Sequence, residues 1–190
     1  MIQLDPGATA LVLIDLQNGV VGMPLAPRSG ADALAAGTAL AMRFRAAGAK
    51  VVLVTVGFAE DYADALSAPV DQPMTRPPGG MPKGWSDLAA GLAQPGDLHI
   101  VKRQWGAFHG TELDLQLRRR GVKTIVLGGV ATNFGVESTA RQAWEHGYAV
   151  VIVEDACTSL SAELHAMAVK SIFPRIARVA LSGDLEFGGA

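Results

Sequence analysis

The sequence predicts an α/β protein whose core is a doubly wound parallel sheet of six strands. Short apolar runs of strand length alternate along the chain with stretches of helical periodicity. Most of these runs are apolar at consecutive positions, which is typical of strands that helices cover on both faces. Polar residues follow several of the runs. Because ligands bind beyond the carboxyl ends of the strands in such a sheet, those residues are the first candidates for a functional site.

The first part of the chain predicts a βαβ unit. A buried strand over residues 8–14 ends on Asp15, and turn-forming residues dominate the loop 16–30 that follows. An alanine-rich helix then continues to about Ala47, and a second buried strand covers residues 50–57. Two strands joined through one helix lie parallel in one sheet. By itself, a strand-end aspartate such as Asp15 is more often a helix cap or an ion-pair partner than a catalytic group.

The segment 58–97 interrupts this alternation. It contains six of the ten prolines, with glycines among them. A long irregular segment in a compact domain is either a functional lid or a disordered excursion, because unstructured loops of this length are uncommon. We favour a surface loop that lies over the site. Two roles stay open for Trp85: it covers a pocket or an oligomer partner, or it anchors the loop locally.

The second part of the chain predicts four more strands, two of which end on charged residues. Lys102 follows the third strand of the chain, and Glu154 and Asp155 follow the fifth. Two helices are predicted in this part, over residues 110–120 and 161–173. The four strands cover residues 98–101, 124–127, 148–153 and 176–181.

The stretch 128–141, GGVATNFGVESTAR, follows the fourth strand and opens into a helical pattern. The first amides of a helix have no partners within it, so a turn of this kind forms a natural anion or oxyanion site. An ordinary tight connection between a strand and a helix explains the pattern equally well. Both interpretations stay open at this point.

The composition indicates one soluble domain over residues 1–190. Hydrophobic residues make up 49% of the chain and the formal net charge is -2, which argues against a nucleic-acid partner. No apolar run reaches the ~18 residues that a membrane-spanning helix requires, and no signal-like segment is recognised, so we expect a cytoplasmic protein without a membrane partner. The single cysteine, Cys157, excludes an internal disulfide.

Several common catalytic motifs are absent from the sequence. It contains no phosphate-binding loop, no dinucleotide fingerprint and no nucleophile elbow. The four histidines lie far apart without metal-ligand spacing, so we predict no metal site and interpret each histidine as a surface or helix-end residue. A thiol dyad of Cys157 and His165 is an alternative. The acidic residues 154–155 would raise the pKa of that thiol, so a small buried side chain is the favoured interpretation of Cys157.

Four segments together resemble the isochorismatase-like (cysteine hydrolase) superfamily, in particular its YecD-type branch. They cover nearly the whole chain in the correct order, and they are LVLIDLQNG, VKRQWGAFHGTELDLQLRRRG, TIVLGGVATNFGVESTARQAWEHGY and VEDACTS with a downstream histidine. The resemblance implies a three-layer, Rossmann-like α/β/α fold whose six-stranded parallel sheet has the order 3-2-1-4-5-6. It also implies a homodimer or homotetramer, and a cis peptide bond between Val130 and Ala131.

In most of this superfamily an aspartate, a lysine and a cysteine form the catalytic set. By resemblance, Asp15 matches the aspartate and Lys102 the lysine, but Gly135 stands where the cysteine would be. Glycine has no side chain to form a covalent intermediate, so the amidase-like route is not available through this turn. The resemblance implies that a substrate contacts the following residues: Gln17, Trp105, Phe108, Ala131, Asn133, Phe134 and Gly135.

True isochorismatases resemble this chain in having glycine at that position, and they cleave a vinyl ether without a covalent intermediate. The implied general acid is Asp15, which needs a pKa raised by burial, whereas a nearby Lys102 ammonium would lower that pKa. Asn133 stands where siderophore-type isochorismatases carry histidine, which argues against isochorismate itself. We therefore predict a small-molecule hydrolase that acts by acid catalysis and needs no cofactor. The alternative is a non-catalytic protein that keeps the pocket and binds a small ligand.

Overall fold

The computed structural model describes residues 1–188 and contains a six-stranded parallel sheet. Strands β2 to β7 form this sheet in the order β4-β3-β2-β5-β6-β7, and β1 pairs with β8 in a separate two-stranded parallel sheet. Counted from β2, the order is the predicted 3-2-1-4-5-6, which confirms the fold class. The strands are β1 (Ile2–Leu4), β2 (Thr9–Ile14), β3 (Lys50–Val56), β4 (Leu98–Lys102), β5 (Thr124–Val130), β6 (Ala149–Thr158), β7 (Arg178–Ala180) and β8 (Leu185–Phe187).

Helices cover both faces of the large sheet. The five α-helices among residues 1–188 are α1 (Asn18–Val21), α2 (Gly30–Ala46), α3 (Leu113–Arg119), α4 (Glu137–Glu145) and α5 (Ala162–Met167). Helix α2 buries Leu40 and Phe44 against one face, whereas α3 and α4 bury Leu117 and Ala140 in the core on the other. This arrangement explains why β2 is buried along its whole length. None of the helices in the described part of the chain has the length and apolar character that a membrane crossing requires.

Strand β6 is longer than the sequence pattern predicts. The pairing of β5 with β6 shifts in register between Leu127 and Gly129, and after the shift Gly129 and Val130 lie beside Cys157 and Thr158. Gly129 has a φ of 120°, and a Cβ atom there would lie 2.1 Å from the Ile14 carbonyl oxygen, so only glycine fits. The irregularity lets β6 continue past its charged residues.

Two sequence expectations are corrected by this continuation. Glu154 and Asp155 lie within β6 and do not follow its end, and the strand continues beyond the predicted end at residue 153 to include Cys157. Asp155 accepts hydrogen bonds from the Ser182 amide (2.8 Å) and hydroxyl (2.6 Å). Its carboxylate therefore holds the chain that follows β7.

The helix predicted over residues 161–173 is divided into three pieces. After α5 the chain forms a π-helical turn (Ala168–Ile172) and then a 3₁₀ turn (Phe173–Arg175) that includes Pro174. Ser161 caps α5 as its spacing suggests, because its side chain accepts a hydrogen bond from the Leu164 amide. Proline cannot donate an amide hydrogen bond, which is consistent with the end of helical structure here.

The segment 58–97 contains no helix or strand, and its second half is fixed to the loop after β2. The Asn18 amide donates to the Asp87 carbonyl (2.9 Å), and the Gly19 amide donates to the Trp85 carbonyl (3.0 Å). A Cβ atom at Gly19 would lie 2.0 Å from the Trp85 ring, so the indole lies directly on the glycine backbone. Trp85 therefore anchors the segment locally.

Candidate functional site

Asp15 and Lys102 meet at the carboxyl edge of the sheet. Asp15 immediately follows β2, Lys102 is the last residue of β4, and β3 lies between the two strands. The Lys102 Nζ atom donates to Asp15 Oδ2 at 2.7 Å. Only 6% of Asp15 and 2% of Lys102 is exposed. The two candidate catalytic residues thus form a buried ion pair, although 87 positions separate them in the sequence.

Only one of the two oxygens of the Asp15 carboxyl group has a hydrogen-bond partner. Its Oδ1 atom is buried and has no hydrogen-bond partner, and the residue has a φ of 52°, a conformation that is rare for any residue except glycine. Burial raises the pKa of Asp15 to about 6, although the charge and hydrogen bond of Lys102 act in the opposite direction. Burial therefore outweighs the ion pair, and the carboxyl group can exist in its protonated form close to neutral pH.

The turn after β5 places Gly135 beside this carboxyl group. The Val130–Ala131 peptide bond is cis, and residues Thr132–Val136 form a π-helical turn before α4. A Cβ atom at Gly135 would lie 3.4 Å from Asp15 Oδ2 and 2.9 Å from Ile14 Cγ2. The position therefore faces the ion pair, and a side chain there would have to displace its neighbours. Since glycine offers no nucleophilic side chain, the turn brings only its backbone close to the ion pair.

Two aromatic rings connect the turn with the loop after β4. The Trp105 and Phe134 ring centroids are 4.7 Å apart, and Trp105 is 62% exposed. This loop is held on α4 by the Thr139 hydroxyl and the Gln142 side chain, which accept hydrogen bonds from the amides of residues 107 and 108 at 3.1 Å and 3.2 Å. The Thr139 hydroxyl itself donates to the Gly135 carbonyl at 2.7 Å. No local sequence pattern marks these two polar residues of α4.

Four of the expected substrate-contact residues make contacts within the fold itself. The Gln17 side chain is fully buried, accepts from the Val56 amide (2.8 Å) and donates to the Val56 carbonyl (2.9 Å). The Phe108 ring packs against His146 and Tyr148, with centroid distances of 5.1 Å and 5.9 Å. Asn133 and Ala131 both belong to the turn; the Asn133 side chain accepts a hydrogen bond from Ser159, and the Ala131 carbonyl accepts from the amides of residues 134 and 136.

A second charged cluster lies behind the turn, and we call it the Glu154 network. Arg28 donates to both carboxylate oxygens of Glu154 at 3.0 Å. His165 Nε2 lies 2.9 Å from Glu154 Oε1, and His165 Nδ1 lies 2.8 Å from the hydroxyl oxygen of Thr132. Thr132 is the first residue of the π-helical turn, and its hydroxyl also donates to the Thr158 carbonyl at 3.0 Å. The network thereby connects the start of α2, strand β6 and α5 to the turn.

His165 lies in the last turn of α5, which agrees with its interpretation as a helix-end residue, but it is not a surface residue. Only 4% of His165 is exposed, because α5 directs its ring against β6 and the turn. The Ser161 cap and the strand-end carboxylate of Glu154 were visible in the sequence, but no local pattern shows that they flank one buried histidine. Although burial raises it, hydrogen bonds from His165 and Arg28 hold the pKa of Glu154 below its usual range.

The structure gives no support to a thiol dyad. Both ring nitrogens of His165 have other partners, and Cys157 is completely buried. Burial raises the pKa of the Cys157 thiol to about 12, although a backbone contact with Gly129 acts in the opposite direction. Such a thiol is not a nucleophile near neutral pH. Among residues 1–188, no group of three or more histidine, cysteine, aspartate or glutamate side chains is arranged to hold a metal ion.

Comparison with known proteins places this site in one family. The isochorismatase domain matches residues 9–184. Over 180 residues the chain is 51% identical to the uncharacterized isochorismatase family protein YecD of Escherichia coli O157:H7, covering 94% of this chain and 95% of that protein. It is 44% identical over 178 residues to the uncharacterized isochorismatase family protein YwoC of Bacillus subtilis (strain 168), covering 93% and 92%.

A solved structure agrees with these sequence matches. The structure of an isochorismatase family protein from Burkholderia thailandensis superimposes with a TM-score of 0.91 at 46% identity, and the match covers 96% of this chain and 95% of that one. The family model spans the candidate site from Asp15 through Lys102 and Gly135 to His165. The chain therefore belongs to the isochorismatase family.

Proposed function

We propose that this protein hydrolyses a small molecule that carries a vinyl ether, with Asp15 as the general acid and without a covalent intermediate. The observation that supports this most directly is the juxtaposition of Asp15 and Gly135. A carboxyl group with a pKa of about 6 lies 3.4 Å from the position where a nucleophilic side chain would begin, and glycine occupies that position. Membership of a family of small-molecule hydrolases supports the broader assignment.

The chemistry requires one proton donor and one water molecule. Protonated Asp15 transfers its proton to the methylene carbon of the vinyl ether, and the electrons of the double bond form the new carbon–hydrogen bond. Positive charge develops on the adjacent carbon and is shared by the ether oxygen. Water adds to that carbon and returns a proton to the Asp15 carboxylate. The hemiketal then breaks the bond between this carbon and the former ether oxygen. The proton of its hydroxyl group passes to the leaving oxygen, which gives a carbonyl product and an alcohol.

Lys102 has two tasks in this scheme. Its ammonium group stabilises the carboxylate that Asp15 becomes after it has given up the proton, because the two groups are 2.7 Å apart. As a buried cation, it also favours a substrate that carries a carboxylate next to the reacting double bond.

The decisive experiment measures hydrolysis of a panel of vinyl ether carboxylates, with simple amides in parallel. We expect the wild-type protein to release carbonyl product and Asp15→Asn to lose at least ~100-fold in kcat/KM, the range typical of general acid catalysis. Turnover should fall as the pH rises above about 6, because Asp15 then loses its proton. In heavy water the product should contain one deuterium at the new methyl group.

Asp155→Asn is the matched control, since Asp155 lies at the same edge of the sheet but is hydrogen-bonded to Ser182. It should retain turnover. Full activity in Asp15→Asn, or hydrolysis of amides that disappears in Cys157→Ala, would contradict the proposal. Saturable binding of a vinyl ether carboxylate without any product would instead identify a ligand-binding protein that has kept the pocket.

A further inference from the structure

Two residues outside the glycines have a left-handed backbone conformation among residues 1–188, and they are Asp15 (φ 52°) and Tyr62 (φ 55°). This region is sterically unfavourable for a side chain as large as tyrosine. Such conformations persist only where the surrounding structure enforces them, and they concentrate at functional sites. Asp15 is already the centre of the candidate site. Tyr62 has no role in the mechanism above and needs an explanation of its own.

The same two residues hold the unsatisfied polar atoms of the interior. In the described part of the chain, the buried side-chain oxygens and nitrogens without a hydrogen-bond partner are Asp15 Oδ1 and the hydroxyl oxygen of Tyr62. An unpaired buried hydroxyl group destabilises a fold, and most are paired in native structures. Tyr148 shows the usual arrangement, because its hydroxyl donates to Asp114 at 2.8 Å. Backbone strain and an unpaired polar atom thus coincide at both Asp15 and Tyr62.

The chain path brings Tyr62 to the edge of the sheet where Asp15 and Lys102 lie. Strand β3 separates β2 from β4, and Tyr62 lies on the segment that leaves its carboxyl end. The Gly57 amide donates to the Lys102 carbonyl at 3.2 Å. Asp64 accepts a hydrogen bond from the Ala59 amide (2.8 Å) and forms an ion pair with Arg103. The turn that carries Tyr62 is therefore fixed beside the end of β4.

The surroundings of the Tyr62 ring do not require its hydroxyl group. The ring lies 6.1 Å from the Phe58 ring, and the Arg76 guanidinium lies 5.8 Å from its centroid. Tyr62 is only 9% exposed. A phenylalanine would bury the same apolar surface without an unpaired oxygen. The packing of the ring therefore gives no reason for the hydroxyl group within the described part of the chain.

We propose that Tyr62 is a ligand-binding residue of the candidate site, whose hydroxyl group donates a hydrogen bond to a carboxylate oxygen of the small molecule bound over Asp15 and Lys102. A carboxylate is the class that fits, because Lys102 and Arg76 supply positive charge and a phenol supplies a neutral donor. This inference rests on the proposed function for the position of the ligand, and it requires no turnover. The bound ligand satisfies the hydroxyl group that the free protein leaves unpaired.

The test compares two substitutions of the same kind, Tyr62→Phe and Tyr148→Phe. Binding of acetate, pyruvate and benzoate is measured by calorimetry, and Tm is measured without ligand. We expect Tyr62→Phe to keep or raise Tm and to weaken binding of the best of these carboxylates at least ~5-fold, in the range of a lost hydrogen bond to a charged group. Tyr148→Phe should lower Tm, since it loses a partner, and should bind that carboxylate with unchanged affinity.

Three results would overturn the inference: equal affinity in wild type and Tyr62→Phe, a lower Tm in Tyr62→Phe with no change in affinity, or no binding of any of the three carboxylates to the wild-type protein. These results test the role of Tyr62 independently of the proposed reaction. If no vinyl ether is hydrolysed but carboxylate binding depends on Tyr62, only the proposed reaction fails. If Asp15-dependent hydrolysis occurs and Tyr62→Phe has the wild-type affinity, only the role of Tyr62 fails.

Discussion

The Asp15–Lys102 pair and the Glu154 network lie at the same edge of the sheet, yet they satisfy their charges differently. In the network, both oxygens of Glu154 and both ring nitrogens of His165 have partners within 3.0 Å. In the pair, Lys102 binds one oxygen of Asp15 and the other oxygen has none. A completed network rigidifies a fold, whereas an incomplete one leaves a group available to a ligand. The contrast distinguishes a cluster whose polar groups are all paired from one that keeps an unpaired carboxyl oxygen.

The two carboxyl groups differ accordingly in the direction of their pKa shifts. Burial raises the pKa of Asp15 to about 6 in spite of Lys102. Glu154 is less deeply buried, and its hydrogen bonds from His165 and Arg28 lower its pKa overall. A raised pKa means that the native state prefers the protonated carboxyl group, and a lowered pKa means that it prefers the carboxylate. As the pH rises, the contribution of Asp15 to the free energy of unfolding should therefore decrease, whereas that of Glu154 should increase.

The largest effect is expected when the cation of the incomplete pair is removed. Lys102→Met leaves the Asp15 carboxylate buried without its partner, and the free energy of unfolding at pH 8 should fall by about 3–5 kcal/mol. At pH 5 the loss should be smaller, because Asp15 is then protonated. Urea unfolding at both pH values measures this. The double variant Asp15→Asn with Lys102→Met should recover much of the stability, and an equal loss at both pH values would contradict the buried carboxylate as its cause.

A smaller effect is expected in the pH dependence of the wild-type protein. Because the native pKa of Asp15 is about 6 and its ordinary value is 3.8, the native state binds the proton more tightly than the unfolded state does. Stability attributable to Asp15 should therefore decline by on the order of 2–3 kcal/mol as the pH rises from about 4 to about 6, and then level off. Unfolding curves of wild type and Asp15→Asn over this range isolate the contribution. Parallel curves would show that burial does not shift this group.

The smallest effect is expected in the completed network. Glu154→Gln retains the size of the side chain but removes the charge that Arg28 and His165 share, and we expect a loss of about 1–2 kcal/mol because the group is partly exposed. The loss should shrink as the pH falls through the lowered pKa of Glu154, the opposite of the trend for Asp15. Glu145→Gln, at an exposed position on α4, is the matched control and should leave Tm unchanged. Equal Tm values for the two variants would contradict a stabilising role of the Glu154 network.

The long strands were predictable because each carries its own signal. Strand β3, for example, is apolar at nearly every position, and its observed range Lys50–Val56 differs by one residue from the predicted one. Asp15 and Lys102 were also found from sequence, since the charged residue that follows an apolar strand is a local feature. The three-residue strands β1 and β8 are too short to give a periodic pattern, and they pair only because the two ends of the chain lie side by side.

The groups that the sequence did not identify have surroundings that come from distant parts of the chain. His165 is buried because α5 faces β6, and its partners Thr132 and Glu154 lie 33 and 11 positions away. Nothing in the irregular segment 58–97 singled out Tyr62, because the residue type tyrosine does not predict a positive φ. The end of β6 was misjudged since a change of register with β5 lets a strand accommodate Glu154 and Asp155.

Residue type and order along the chain were enough to predict the parallel sheet and the family. They also place glycine at position 135, where the family resemblance implies a cysteine. By contrast, the folded structure is needed to see whether burial or Lys102 governs the pKa of Asp15, and which polar atoms of residues 1–188 remain without partners. Both depend on atoms that approach one another from different strands, and desolvation is a property of that whole environment. The candidate site was therefore predictable from the sequence, whereas the pKa of Asp15 is set by the fold.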